Sequence, residues 1–319
     1  MWPWVAGMEA ARITAIAARE QSGGASVEEF ADYRGIKLYD VDLQGAGAQL
    51  IYGPGGTHIL LPDTLVDPAE RSWAIAHELG HYEMKHDAPP ANELCAPRPR
   101  RPGGRVERDQ EDEANEWAMM FTMKDADVAR LCDWMPMTLD PVLQLARRCG
   151  VPPVAAAVRL MGVTVRFCAA VLSQDGVIRW ASPSLRLLGF MDASRFPEGK
   201  PIGAGALARR FVDTGRLRRD PGIVPASAWI DGVSDDTWIH EHSMPTCQPG
   251  TVLTMLWAPN EPDVPRELTL SPRLVPGVRD MYLSDEAARI ASHREMISPC
   301  PIAPSWLDVL LGVNLRAAG

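Results

Sequence analysis

No apolar run in this 319-residue chain approaches the length needed to cross a membrane, and Met1-Trp2-Pro3-Trp4 lacks the basic region and apolar core of a secretory leader. The six cysteines, at positions 95, 132, 149, 168, 247 and 300, show no paired spacing, which fits a reducing compartment rather than a disulfide framework. Positive charge is in deficit as well. Thirty-two Lys and Arg against 41 Asp and Glu leave a net charge of −9, which argues against wholesale coating of nucleic acid but not against a local basic groove. No internal repeat is present. These absences predict a cytoplasmic chain with no membrane partner. With 46% hydrophobic residues, it is long enough for two domains with cores of their own.

The most informative stretch is His77-Glu78-Leu79-Gly80-His81, an H-E-x-x-H sequence. Residues four apart share one face of a helix, so both imidazoles can reach one zinc ion while Glu78 stands beside them as a general base. Asp67-Pro68-Ala69-Glu70 predicts the helix start, with a capping Asp, Pro at the first helical position and Glu three residues after the cap. The helix should run to about Lys85, with Ile75, Leu79 and Tyr82 forming a row toward a core. Gly80 weakens such a helix, and its place between two ligands predicts that another backbone or the metal site comes close there. His86, five residues beyond His81, would lie about 140° further round a continuing helix and point away from the metal; it reads as structural or exposed. Thr57-His58-Ile59-Leu60-Leu61 reads as a short strand, the edge to which an extended peptide substrate would add.

Two histidines leave a catalytic zinc one protein ligand short. About thirty residues on, Glu107 to Ala118 forms an acidic helical stretch in which Glu111, Asn115, Ala118 and Thr122 share a face, with Trp117, Met120 and Phe121 for packing. Spacing alone leaves Glu111 and Glu113 both open as the third ligand.

These two stretches together resemble the ImmA/IrrE family of metallopeptidases. There, an A-H-E-L-G-H helix is followed by E-x-E-A-N-x-F-A-x-x-L-L-M-P. Here the counterparts are Ala76-His77-Glu78-Leu79-Gly80-His81 and then Glu111-Asp112-Glu113-Ala114-Asn115-Glu116-Trp117-Ala118, continuing to Lys124. Trp117 replaces the usual Phe and Lys124 the usual Pro; neither is a ligand position. The resemblance covers roughly residues 10–161. It implies a zincin-like fold, zinc held by His77, His81 and Glu111, and Glu78 as the catalytic base. It also implies a helix-turn-helix repressor as the cleaved partner, with consequences for stress or antiphage gene expression. The architecture is similar to that of CapP-type peptidases of CBASS antiphage operons as well, which adds single-stranded DNA as a possible activator.

Residues 87–105 join the two motifs through a Pro- and Gly-rich, basic loop. A thiolate is a strong zinc ligand and nearby arginines favour it, so Cys95 is a candidate inhibitory ligand. Arg98, Arg100 and Arg101 are candidate nucleic-acid contacts. Segments 139–149 and 153–161 read as paired helices with a helix-turn-helix rhythm, which the family resemblance assigns to packing.

From about residue 163 the texture turns to strands: 163–172, a turn at Asp175-Gly176, 177–181, 228–230, 237–240 and 251–257, with a helix over 205–213. Arg209, Arg210, Arg216, Arg218 and Arg219 cluster at that helix as further candidate nucleic-acid contacts, and Trp306 to Leu311 is apolar enough for a docking helix. The predicted fold class is α+β, a zincin-like domain over 1–162 followed by a GAF-like α+β sensor over 163–319. A rival function remains, a non-proteolytic regulator that binds a repressor or DNA with zinc in a structural role.

Overall fold

The computed structural model describes residues 3–43, 47–53, 55–86, 105–132, 136–164, 166–188, 195–216, 218–234 and 236–258. Among these, the chain forms two compact units. One takes in the residues up to 125 together with 146–155, the other 126–145 together with the chain from 156 onward.

The first unit opens with two helices, α1 (Pro3–Gln21) and α2 (Val27–Tyr33), followed by three strands, β1 (Lys37–Val41), β2 (Gln49–Gly53) and β3 (Gly56–Pro62). Helix α2 starts at a full capping box, in which Ser26 accepts from Glu29 N and the Glu29 carboxylate accepts from Ser26 N. The sheet order is β1-β3-β2, with β1 parallel and β2 antiparallel to β3. Thr57–Leu61 therefore lies in the central strand and not at an edge; among the described residues, the free edges belong to β1 and β2. The apolar run reads the same in either place, but Ile59 and Leu61 are fully buried, and only the centre of the sheet offers ladder partners on both sides.

Two longer helices follow, α3 (Pro68–Glu83) and α4 (Arg105–Thr122). Ala11, Ala15 and Ala18 give α1 a buried small-residue stripe, while Phe30, Trp117 and Phe121 supply the bulk of the core. Trp117 and Phe121 stack with ring centroids 4.8 Å apart, and Phe30 lies 4.9 Å from Phe121. Arg12 pairs with Glu116 from α1 to α4. Arg34, the residue that ends α2, grips the Glu83 carboxylate through Nε at 2.7 Å and Nη2 at 3.2 Å, a two-pronged geometry that fixes direction as well as distance.

Between them, helices α5 (Asp125–Ala129), α6 (Leu139–Cys149) and α7 (Pro153–Met161) carry residues of both units. The predicted pair 139–149 and 153–161 coincides with α6 and α7.

The second unit is built on a fully antiparallel sheet ordered β5-β4-β8-β7-β6, from β4 (Cys168–Gln174), β5 (Val177–Pro183), β6 (Gly222–Pro225), β7 (Trp238–Pro245) and β8 (Thr251–Trp257). Asp175 and Gly176, both at positive φ (51° and 76°), turn β4 into β5, the conformation a two-residue hairpin demands. Short helix α8 (Leu185–Leu188) and helix α9 (Leu207–Thr214) complete it. β8 is buried along its whole length, so the sheet is covered on both faces.

The expected strand at 228–230 is absent. Ala226–Ala228 is a single 3-10 turn, and Trp229 is fully buried beside it. A three-residue apolar run cannot distinguish a strand from a buried turn, and here Pro225 ends β6 just before it. The Trp229 indole donates to Glu241, itself fully buried, at 2.9 Å. Glu241 also accepts from Leu207 N (3.0 Å), Ala208 N (2.7 Å) and Ser243 Oγ (2.8 Å). Because Ala206 offers α9 no side-chain cap, the Glu241 carboxylate supplies one from the sheet.

Candidate metal centre

Helix α3 begins where sequence places it: Asp67 accepts from Ala69 N at 2.9 Å and Glu70 N at 3.0 Å, with Pro68 at the first helical position. Ile75 and Leu79 are fully buried, which turns His77 and His81 toward α4. The two helices meet at Gly80. A Cβ there would lie 2.7 Å from Ala114 O and 3.0 Å from Ala114 Cα, closer than real Cβ atoms approach a backbone. Glycine between the histidines is thus a packing requirement of the α3–α4 crossing.

That crossing brings Glu111, one turn ahead of Ala114, over the imidazole pair. Donor atoms of His77, His81 and Glu111 all lie within 4.8 Å of one another. The two Nε2 atoms are 3.1 Å apart, His77 Nε2 is 3.2 Å from Glu111 Oε2, and His81 Nε2 is 3.5 Å from Glu111 Oε1. Ligands about 2.0–2.1 Å from a tetrahedral ion stand about 3.3 Å from each other, so these separations fit one ion at their centre. Glu113, two residues on, is left out of the triangle and bonds elsewhere.

The outer nitrogens of both rings are engaged too. His77 Nδ1 meets Asn115 Oδ1 at 3.1 Å; an amide oxygen only accepts, so this ring carries its proton on Nδ1 and turns an open lone pair on Nε2 inward. His81 Nδ1 meets His86 Nδ1 at 2.9 Å, and His86 Nε2 meets Glu113 Oε2 at 2.9 Å. His86 does not point away, as a continuing helix would require. Helix α3 stops at Glu83, Lys85 takes a left-handed φ of 59°, and His86 folds back, donating its backbone N–H to His81 O at 2.9 Å. Its side chain is buried rather than exposed.

Glu78 is buried on the other side of the pair, 7% exposed, with Oε2 accepting from Leu50 N at 2.7 Å. Burial pushes its carboxyl above the usual range, against the opposing pull of both histidines and the Leu50 amide. Burial disfavours charge on His77 as well, but the adjoining Glu111 and Glu78 outweigh it and lift its pKa. Glu111 is drawn well below the ordinary carboxylate range by its contacts with His77 and His81. His86 is lowered, burial prevailing over Glu113. The cluster thus sets a readily ionised carboxylate against two imidazoles, beside a buried carboxylate that holds its proton more tightly than usual. Leu50 lies on β2, so that free edge, and not β3, runs past Glu78.

Cys95, Arg98, Arg100 and Arg101 lie outside the described residues, as does Trp306 to Leu311. Arg209 lies on α9 and pairs with Asp213 at 3.0 Å. Arg210, Arg216, Arg218 and Arg219 are exposed on α9 and in the segment after it. Asn115, His86 and the Leu50 amide join the site without having been assigned a role from sequence, and Glu113, weighed there as a third ligand, joins it as the partner of His86. For Asn115 the signal was present: four residues after Glu111, it had to share that ligand's face.

Two histidines and a carboxylate on crossed helices, with a buried glutamate beside them, form the donor set of metal-dependent hydrolases. Residues 31–161 match the peptidase M78 family model, described as an IrrE N-terminal-like domain, so the chain carries a domain of the ImmA/IrrE peptidase family. It is also similar to a solved structure named as a Mycobacterium tuberculosis transcriptional regulator, 14% identical, over 80% of this chain and 81% of that one, with a TM-score of 0.46. No curated protein matches. Among the described residues, no helix is long and apolar enough to cross a membrane.

Proposed function

We propose that this chain is a zinc metalloendopeptidase that cleaves a helix-turn-helix repressor, with residues 1–162 carrying the chemistry and 163–319 acting as a GAF-like sensor. The observation that carries the reading is the convergence of His77, His81 and Glu111 on one point with Glu78 buried beside them. His77, His81 and Glu111 would hold the ion. When bound, zinc supplies Lewis-acid polarisation of a peptide carbonyl and acidifies water. Glu78 takes the proton of the attacking water and delivers it to the leaving amine; its raised pKa suits both halves of that exchange. The Leu50 amide holds the carboxylate in place, and an extended substrate adds along the free edge of β2.

The antiparallel sheet of the second unit, flanked by helices, supports the sensor reading. A signal such as single-stranded DNA would release cleavage and switch a stress or antiphage operon, in the manner of CapP-type peptidases. Cys95 as an inhibitory zinc ligand, and Arg98, Arg100, Arg101, Arg209, Arg210, Arg216, Arg218 and Arg219 as nucleic-acid contacts, belong to this proposal. Elemental analysis of the purified chain should find zinc. Incubation with a helix-turn-helix repressor as substrate should yield two fragments when single-stranded DNA is present and intact repressor when it is not. Absence of a bound divalent metal, or cleavage that persists undiminished in Glu78→Gln, would overturn it.

A further inference from the structure

Glu113, the carboxylate that the metal triangle excludes, is connected to that triangle all the same. We propose that His86 and Glu113 are positioning residues that fix the tautomer of His81, and that Gly7 of α1 is glycine in order to seat the Glu113 carboxylate. This rests on the metal reading of His77, His81 and Glu111.

Proton bookkeeping along the chain allows one arrangement with both rings neutral. Ionised Glu113 can only accept, so His86 donates from Nε2 over 2.9 Å. The Nδ1 of His86 is then a bare acceptor and takes the Nδ1–H of His81, also over 2.9 Å. His81 is left with its lone pair on Nε2, the atom that faces His77 and Glu111. Remove Glu113 and, among the described residues, nothing holds the His86 proton on Nε2. Should it move to Nδ1, His81 must carry its own proton on Nε2, where it blocks the metal. His77 has a shorter version of the same device in Asn115. His86 and Glu113 are themselves largely shielded from water, so solvent does not readily replace the missing partner.

The far end of the relay is fixed by α1. A Cβ built on Gly7 would fall on the Glu113 carboxylate. Alanine in that place favours the helix, and the flexible end of Glu113 can swing away at little cost to folding. Swinging away breaks its bond to His86. Gly7→Ala should therefore leave the metal-free fold intact or firmer while loosening the metal, two responses in opposite directions that a packing role alone does not produce.

Zinc affinity of the full chain, measured by competition with a chromophoric chelator, and melting of the metal-free protein provide the test. His86→Ala and Glu113→Ala should bind zinc about 10- to 100-fold more weakly, the usual loss when a ligand's outer partner is removed. Glu113→Gln, whose amide oxygen still accepts from His86, should lose much less than Glu113→Ala. Gly7→Ala should weaken zinc without lowering the metal-free melting temperature. Wild-type affinity in His86→Ala overturns the relay while leaving the metal site standing. Equal losses in Glu113→Gln and Glu113→Ala overturn the role given to the accepted hydrogen bond. A metal-free Gly7→Ala chain that melts well below wild type overturns the role given to Gly7. A wild-type chain that takes up no zinc removes the metal reading and the relay together.

Discussion

Glu78 in the first unit and Glu241 in the second are both buried glutamates, and the two are treated in opposite ways. Glu241 in the second unit is fully buried and surrounded by donors: two backbone amides at the start of α9, the Trp229 indole and the Ser243 hydroxyl. Glu78 in the first is nearly as buried but, among the described residues, accepts from the Leu50 amide alone, and its carboxyl is displaced upward by burial. Both carboxylates meet the same cost of leaving water. Where hydrogen bonds offset it, the charge becomes a structural clamp between helix and sheet. Where they do not, the group retains an appetite for a proton, which is what a general base needs.

The contrast is sharpest under substitution. Glu78→Gln removes the proton acceptor but keeps the shape and the acceptor oxygen facing Leu50, so cleavage should fall by about 10²–10⁴-fold with metal content unchanged. Repressor-cleavage rates and elemental analysis check both halves. Glu241→Ala should do the reverse. It strands three nitrogens inside the core at about 1–3 kcal/mol for each one left unpaired, while the Ser243 hydroxyl keeps Thr254 Oγ1 as a partner, so the second unit should lose about 3 kcal/mol or more of stability. Chelator competition should find the zinc affinity of the first unit unmoved. If Glu241→Ala melted like wild type, Glu241 would not be the clamp described.

A pH series on metal-free protein tests the burial of Glu78. The folded-state pKa of Glu78 lies above its ordinary 4.5, so the folded chain holds that proton more tightly than the unfolded one. The associated stability is complete below pH 4.5 and is lost as pH rises through the folded value. At neutral pH, ionised Glu78 is therefore a liability to the empty fold. Metal-free Glu78→Gln should melt above metal-free wild type at pH 7, with the gap closing toward pH 4.5. A gap of the same size at both pH values would mean that burial of the charge is not its origin.

Legibility in the sequence followed the range of the interactions. The candidate ligands on α3 were visible because their information is local: His77 and His81 are a helical turn apart, and Asp67 with Pro68 announces the helix that carries them. Gly80 was legible as a site of close approach, though not that Ala114 was what approached. His86 was misread for a physical reason. Spacing arguments assume that a helix continues, and the residue that breaks this one, Lys85, has no intrinsic preference for the left-handed conformation it adopts. The central place of β3 and the turn at Ala226–Ala228 were hidden likewise, because strand order and the Glu241–Trp229 bond depend on pairings that apolar spacing within one segment does not encode. Gly7 and Glu113 lie more than a hundred residues apart, and no local pattern joins them.

The smallest expected effect is the one with opposing contributions. Gly80→Ala improves helix propensity in α3 by about 1 kcal/mol, yet its methyl group would meet Ala114 O at 2.7 Å and Ala114 Cα at 3.0 Å. Both are backbone atoms of α4, so nothing flexible can give way and the helices must part, at a cost of about 1–3 kcal/mol. The net loss of stability should be about 1 kcal/mol, within reach of a denaturant titration. Metal affinity should fall by more than that loss suggests, because the displaced helix carries Glu111 and Asn115, which meet His81 and His77. Gly80→Ser should be worse than Gly80→Ala, since it adds bulk with less of the propensity gain. A Gly80→Ala chain that was more stable than wild type and bound zinc equally well would show that α4 can shift without disturbing the site, and the close crossing would then be incidental to the geometry of the three ligands.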